Sequence, residues 1–247
     1  MEYFINIIHH LPILTTIISA FFAYFILKRY NGKTSSKHLL WWGLGVITYG
    51  IGTLLESYNT LFGWNLIVFK LWYIFGALLG GGPLAIGTIY LLFGKKAGNF
   101  SVMLLVTAVS ITSVFVILSP IKYDLVDTAI FNSKVLGWQD IRKVSPFINS
   151  LAALFLIGGA FYSAFKYLKI PNLRNRFTGN LLIAVGAILP GIGGYYSRLG
   201  FTEVLYAGEF VGIILIWFGY KFCQKSDGNI FISRNNQESE IPAIQPE

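Results

Sequence analysis

Charge is scarce in this chain. Asp, Glu, Lys and Arg make up 12% of its 247 residues, against about 25% in an ordinary soluble domain. That shortage excludes a water-soluble fold of this length, whose surface needs charge. Cysteine is limited to Cys223, so an internal disulfide and a thiolate zinc cluster are both excluded. Cys223 reads as a lone buried thiol, with palmitoylation as the alternative. Histidine is limited to His9, His10 and His38. Adjacent residues point about 100° apart on a helix, so His9 and His10 are poorly placed to share a metal. There is no His-x-x-x-His pair and no Gly-x-Ser-x-Gly elbow. No catalytic residue and no metal site is therefore expected.

What is abundant is apolar. Hydrophobic residues make up 55% of the chain and aromatics 17%, and the mean hydropathy is +0.63. The apolar runs approach twenty residues, the length that crosses a bilayer as a helix. Little of the sequence alternates, which argues against a membrane β-barrel. Seven spans are expected: from Tyr3 or Leu11 to Leu27, then Leu39–Ser57, Leu66–Phe93, Phe100–Leu118, Ser145–Tyr167, Thr178–Ser197 and Thr202–Phe222. The first is not a cleaved signal, because no basic residue precedes it and no small-residue cleavage site follows. The fold class is an all-α integral membrane bundle, with one domain over 1–225 and a disordered tail over 226–247.

Basic residues orient the bundle. Lys28, Arg29, Lys33 and Lys37 fall in one loop, Lys95 and Lys96 in a second, Lys166, Lys169, Arg174 and Arg176 in a third, and Lys221, Lys225 and Arg234 in the tail. Seven spans put all of them on one side. Glu2, Glu56, Asp124, Asp127, Asp140, Glu203 and Glu209 fall on the other side or in that half of the membrane. The expected topology is N-terminus outside and C-terminus in the cytoplasm, in the plasma or inner membrane. This asymmetry accounts for the net charge of +8 without a nucleic-acid partner. The partners expected are lipid and a small-molecule or ion ligand, with self-association left open. The 119–144 loop mixes apolar and charged residues. It reads as an interfacial segment on the bilayer, with a lid over an outer cavity as the alternative. Trp41, Trp42, Trp64, Trp138 and Trp217 fit interfacial belts.

Two stretches align. Gly45, Ile47, Gly50, Ile51 and Gly52 fall on Gly186, Ile188, Gly191, Ile192 and Gly193. Ala20 to Phe25 falls on Ala160 to Phe165. The repeat halves are about 3–93 and 145–222, with 100–118 as a linker helix. That three-plus-one-plus-three layout resembles the SWEET-type transporters and the seven-helix opsins. Their motifs are missing. No Pro-Gln pair stands at the repeat positions, and no lysine lies midway along the last span, since Lys221 is at its inner end. No cofactor is expected, and no retinal Schiff base at that span.

The chemistry is expected where charge and polar groups enter a span. A charge at the centre of a membrane helix costs about 2.5–3.5 kcal/mol on insertion scales, so it usually faces a partner. Glu56, Lys70 and Glu209 lie at similar depth in their spans. The expectation is that Lys70 bridges Glu56 or Glu209, beside a water-filled outer pocket lined by Tyr49, Trp72, Tyr73, Tyr195, Arg198 and Tyr206. The competing reading is that Glu56 and Lys70 snorkel to the interface. The second feature is Gly80-Gly81-Gly82-Pro83, inside the third span. It reads as a hinge, either a packing kink or an unwound segment whose carbonyls face a substrate. The expected function is binding or transport of a small solute or ion through an outward-facing polar pocket. The alternatives are a receptor or sensor for a small or hydrophobic ligand, or a membrane-embedded enzyme or accessory factor.

Overall fold

A computed structural model describes the backbone of residues 7–168, 170 and 173–239, and side chains as far as 225. Glu2, a start of the first span at Tyr3, and Lys169 lie outside the described residues. The described chain is helical with no strand. Its helices are α1 (Leu11–Asn31), α2 (Lys37–Phe62), α3 (Leu66–Trp72), α4 (Gly82–Leu118), α5 (Ile141–Leu168), α6 (Arg174–Leu199) and α7 (Thr202–Ser239). Six helical stretches are long and apolar enough to cross a membrane, with Leu66–Leu118 counted as one run of 53 residues. The backbone of α7 runs on to Ser239, into the stretch expected to lack structure, and 240–247 lies outside the described residues.

The long run is not one rod. Asn65 starts it, its Oδ1 accepting from Ile67 N at 2.9 Å and Val68 N at 3.2 Å, which satisfies two of the donors a helix start leaves free. After Trp72 the helix widens into a π turn over Tyr73–Leu78, closed by Leu79 N donating to Ile74 O at 3.0 Å. Gly80 then takes φ +36°, and Pro83 lies in the first turn of α4, where its missing N–H costs nothing. The expected hinge is thus a true break in the helix. A second break falls at Gly94, with φ 81° and ψ −172°. Only glycine enters that region readily. Residues on either side of it meet. A Cβ on Gly98 would lie 2.4 Å from Tyr90 Cδ1, and one on Gly82 would lie 3.0 Å from Leu105 Cδ1. Tyr90 Oη also donates to Asn99 Oδ1 at 2.6 Å. The chain therefore folds back on itself at Gly94, and the arm 95–118 runs antiparallel to 82–93.

Packing orders the helices in a ring: α1 against α2, α2 against the first arm of α4, that arm against α5, α5 against α6, α6 against α7, and α7 against α1. Glycines let the backbones approach. A Cβ on Gly52 would lie 2.9 Å from Gly76 Cα, and one on Gly45 would lie 2.6 Å from Leu84 Cγ. On α6, a Cβ on Gly186 would lie 2.7 Å from Gly212 O, and one on Gly193 would lie 2.6 Å from Leu205 Cα. Small residues at such seams are how helices associate where lipid removes the hydrophobic drive between them. The outer surface is correspondingly apolar: Leu14, Phe21, Met103, Ile111, Leu154 and Phe218 are all exposed.

The described residues of the basic loops fall at one end of the ring, here the basic end. The other end is covered. The 119–140 connection folds onto it through short 3-10 turns at Tyr123–Leu125 and Ser133–Val135 and a bridge between Ile121 and Leu136. Phe131, Val135 and Leu136 are buried in a second core with Phe69, Trp72, Tyr73, Val116 and Ile141. The reading of this loop as a segment lying on the bilayer is corrected. Phe131, Val135 and Leu136 find a drier site on the bundle than at the lipid interface, while Leu125 and Trp138 stay exposed.

We expect Gly94→Ala to cost about 1–3 kcal/mol, the strain of a side chain at that backbone conformation. Gly80→Ala should cost more, because its Cβ would also displace the Asn149 side chain. Thermal unfolding of the purified protein in detergent measures both, and an unchanged midpoint for Gly94→Ala would contradict the fold-back.

Candidate functional site

Beneath the 119–140 cover, α2, α3 and α7 bring two carboxyl groups together. Glu56 is 3% exposed. Its Oε1 accepts from Trp72 Nε1 at 2.8 Å. Its side chain lies within hydrogen-bonding reach of Glu209. Glu56 Oε2 and Glu209 Oε2 are both buried, and neither finds a donor among the described residues. A buried polar oxygen left without a partner costs about 1–3 kcal/mol, more if charged. Tyr49 donates from Oη to the backbone carbonyl of Glu209 at 2.9 Å, which fixes α2 against α7 at this level. Tyr206 is buried, with the ring of His9 edge-on at 5.9 Å, and His9 Nε2 lies 3.4 Å from Glu203 Oε1.

The cover seals these groups. Phe131 packs on Trp72, ring centroids 5.1 Å apart, so the residue that donates to Glu56 is itself held from above. Asn59 Nδ2 donates to Ala129 O at 3.0 Å and ties the loop to α2. Gln139 Nε2 donates to Leu136 O, and Arg142 Nη1 donates to Gln139 Oε1 at 2.6 Å, closing the loop against α5. At the rim, Lys143 donates to Asp140 Oδ1 at 2.6 Å. That ammonium holds the Asp140 carboxyl below its usual range.

Several sequence expectations change here. Lys70 bridges neither carboxyl. Its Nζ donates to Ile117 O at 2.6 Å and Ser119 O at 3.2 Å. These carbonyls end the second arm of α4, where a helix leaves acceptors open and carries partial negative charge. The fold-back at Gly94 brings that terminus beside α3, which local spacing does not reveal. Tyr73 is buried, and its Oη donates to Ile141 O at 3.4 Å. Tyr195 is 64% exposed and meets the Tyr196 ring edge-on, and Arg198 is exposed as well. Neither makes a hydrogen bond or ring contact with the carboxyl pair among the described residues, both side chains being exposed on α6. At the hinge, Ala77 O accepts from Ser145 Oγ at 2.6 Å and Asn149 Nδ2 at 2.8 Å. The carbonyl freed by the break thus meets two α5 side chains.

The ring also holds a cavity, and it lies at the other end. Its volume is about 220 Å³, and all six members of the ring line it. Phe22, Val46, Leu84 and Leu156 form its apolar depth, while Arg29, His38, Tyr167 and Arg176 lie toward the basic loops. Trp42, expected in an interfacial belt, lines this cavity and donates from Nε1 to Thr88 Oγ1 at 3.4 Å. This cavity is thus at the basic end, whereas Glu56, expected to line an outer pocket, is buried near Trp72 and beneath the loop. The sequence signal for these residues was present but ambiguous. Arg29 and Arg176 stand at span ends, where basic residues are ordinarily read as topology alone.

Compared with protein-family models, curated proteins and solved structures, the chain matches none. The geometry itself defines a helical, membrane-compatible protein with a sealed carboxyl pair at one end and a cavity at the other. No group of three or more His, Cys, Asp and Glu side chains able to hold a metal occurs among the described residues.

Trp72→Phe keeps the ring packing and removes the donor to Glu56. We expect a loss of about 1–3 kcal/mol, read as a lower thermal midpoint. The double variant Trp72→Phe/Glu56→Leu should recover part of it, because the Glu56 carboxyl is then no longer buried without its donor. A double variant as unstable as the single would argue against the bond.

Proposed function

We propose that this chain is a carrier that moves a small solute across the cell membrane together with a proton, on seven spans with the N-terminus outside. The seven-span reading rests on length. A 53-residue helical run would be about 80 Å long, against a hydrocarbon core of about 30 Å, and it folds back at Gly94. The orientation rests on the basic loops, all at one end, which the positive-inside rule assigns to the cytoplasm. A repeat of the two halves is supported by the glycines: Gly45 and Gly52 face the third span as Gly186 and Gly193 face the seventh.

The observation that carries the proposal is the Glu56–Glu209 pair. Two carboxyls within hydrogen-bonding reach, each with a buried oxygen that lacks a donor, are completed by one proton between them. Removing that proton leaves two like charges together in a dry site, which favours rearrangement of α2 against α7. A cavity open toward one side while the opposite end is sealed is the form of one half of an alternating-access cycle. The break at Gly80 and the proline inside α6, Pro190, supply places to bend. A sensor is the second reading. It is favoured by α7, whose helix continues past the membrane-length segment to Ser239 and would transmit bundle movement to a cytoplasmic partner.

Proteoliposomes with an imposed proton gradient and an internal pH dye test the carrier. We expect solute-dependent proton entry in the parent protein. It should be lost in Glu209→Gln and Glu56→Gln variants that elute as the parent does. No proton movement with any of a panel of organic acids, amino acids and sugars would remove the carrier reading and leave the sensor.

A further inference from the structure

We infer that the cavity at the basic end is a binding site for a small organic anion, with the anionic head among Arg29, Arg176 and Tyr220 and an apolar body toward Val46 and Leu84. This deepens the carrier reading by naming its solute class, and to that extent rests on it. Three observations converge. The first is charge. Arg29, Arg176 and His38 line the cavity, and no Asp or Glu is among its lining residues in the described chain. A cavity edged by one sign of charge within low-dielectric walls concentrates ions of the other sign. The second is an unfilled donor. Tyr220 lines the cavity and is 6% exposed. Its hydroxyl has no hydrogen-bond partner among the described residues. A buried hydroxyl without a partner is costly; it is closed off from the open volume in this state, and an acceptor in the cavity would reach it as the Tyr220 side chain shifts toward it.

The third observation is that the guanidinium groups are held on aromatic faces. Arg29 lies over the Tyr220 ring, 5.8 Å from its centroid. Arg176 lies 5.1 Å from the Tyr167 centroid, with Nη1 donating to Tyr167 Oη at 3.1 Å. Arginine planes fixed in this way suit the paired oxygens of a carboxylate. Below them the wall turns apolar, with Phe22, Ile26, Leu39, Val46, Leu84, Leu156 and Ile216. A wholly polar anion would desolvate against that wall with no return, so the ligand carries hydrocarbon. The volume bounds its size. About 220 Å³ is below the roughly 300–1,000 Å³ of drug-sized sites. It admits a short-chain or single-ring carboxylate and not a two-chain lipid.

The test uses the purified full chain in detergent, with hexanoate, hexanamide and hexylamine as probes in calorimetric titration and thermal shift. We expect hexanoate to bind and stabilise, hexanamide to bind at least about tenfold more weakly, and hexylamine not to bind. Arg29→Gln and Arg176→Gln should each weaken hexanoate about tenfold or more, the loss that follows removal of a charge-assisted bond. Ala160→Leu, which narrows the cavity, should reduce the affinity for hexanoate as well. If the arginine variants do not fold, the carboxylate-to-amide ratio on the parent protein decides alone. Equal affinity for acid and amide would overturn the inference. So would a co-purified anionic phospholipid that hexanoate does not displace, seen by native mass spectrometry. Hexanoate binding without proton-coupled uptake leaves the site standing and ends the carrier reading. Coupled uptake of other solutes without hexanoate binding does the reverse.

Discussion

Hydrocarbon offers no hydrogen bonds, so every polar group inside this bundle needs a partner from the chain itself. That constraint organises the structure. Where the third span breaks, the carbonyl of Ala77 is met by Ser145 and Asn149 of α5. Where the arm of α4 ends, Lys70 reaches its last carbonyls. Where Glu56 enters the core, Trp72 supplies a donor. The break, the helix end and the carboxyl would each be expensive alone. Each is tolerated because a neighbouring helix brings the missing group to the right level.

Against that background three of the buried groups left without a partner stand out. Glu56 and Glu209 keep one donor-less oxygen each, and Tyr220 keeps its hydroxyl. The carboxyl pair lies under a cover whose own core includes Trp72, so the seal and the carboxyl's donor are one piece of packing. The hydroxyl lies at the opposite end, in the wall of a cavity edged by arginine. One end is sealed over charge and the other is open beside charge. That asymmetry underlies the reading of the bundle as a carrier caught with one side accessible.

The sequence showed the spans because the bilayer forces a simple pattern: about twenty apolar residues per crossing, with basic residues on one side. The 66–93 segment, its Gly80 break and the reversal before 100 were legible for the same local reasons. Glu56 and Glu209 were legible as costly residues, and Tyr49, Trp72 and Tyr206 as the aromatic and hydroxyl lining expected beside them. The partner of Lys70 was not. Its acceptors lie forty-seven and forty-nine positions away, and only the fold-back brings them near. Tyr195 and Arg198 shared a depth with the cluster but not a direction, since depth follows from counting and direction from packing. The loop's Phe131, Val135 and Leu136 were visibly apolar, but whether lipid or protein would cover them was open.

By itself, then, the sequence determined a helical protein built for a membrane, which end of the bundle carries the basic loops, and where the helices break. These follow from local composition and from backbone rules at glycine and proline. Which polar groups meet, which end is closed and where the cavity lies were decided only by the tertiary structure. Those outcomes depend on how the helices rotate and lean against one another, and apolar helices carry almost no local signal for that choice.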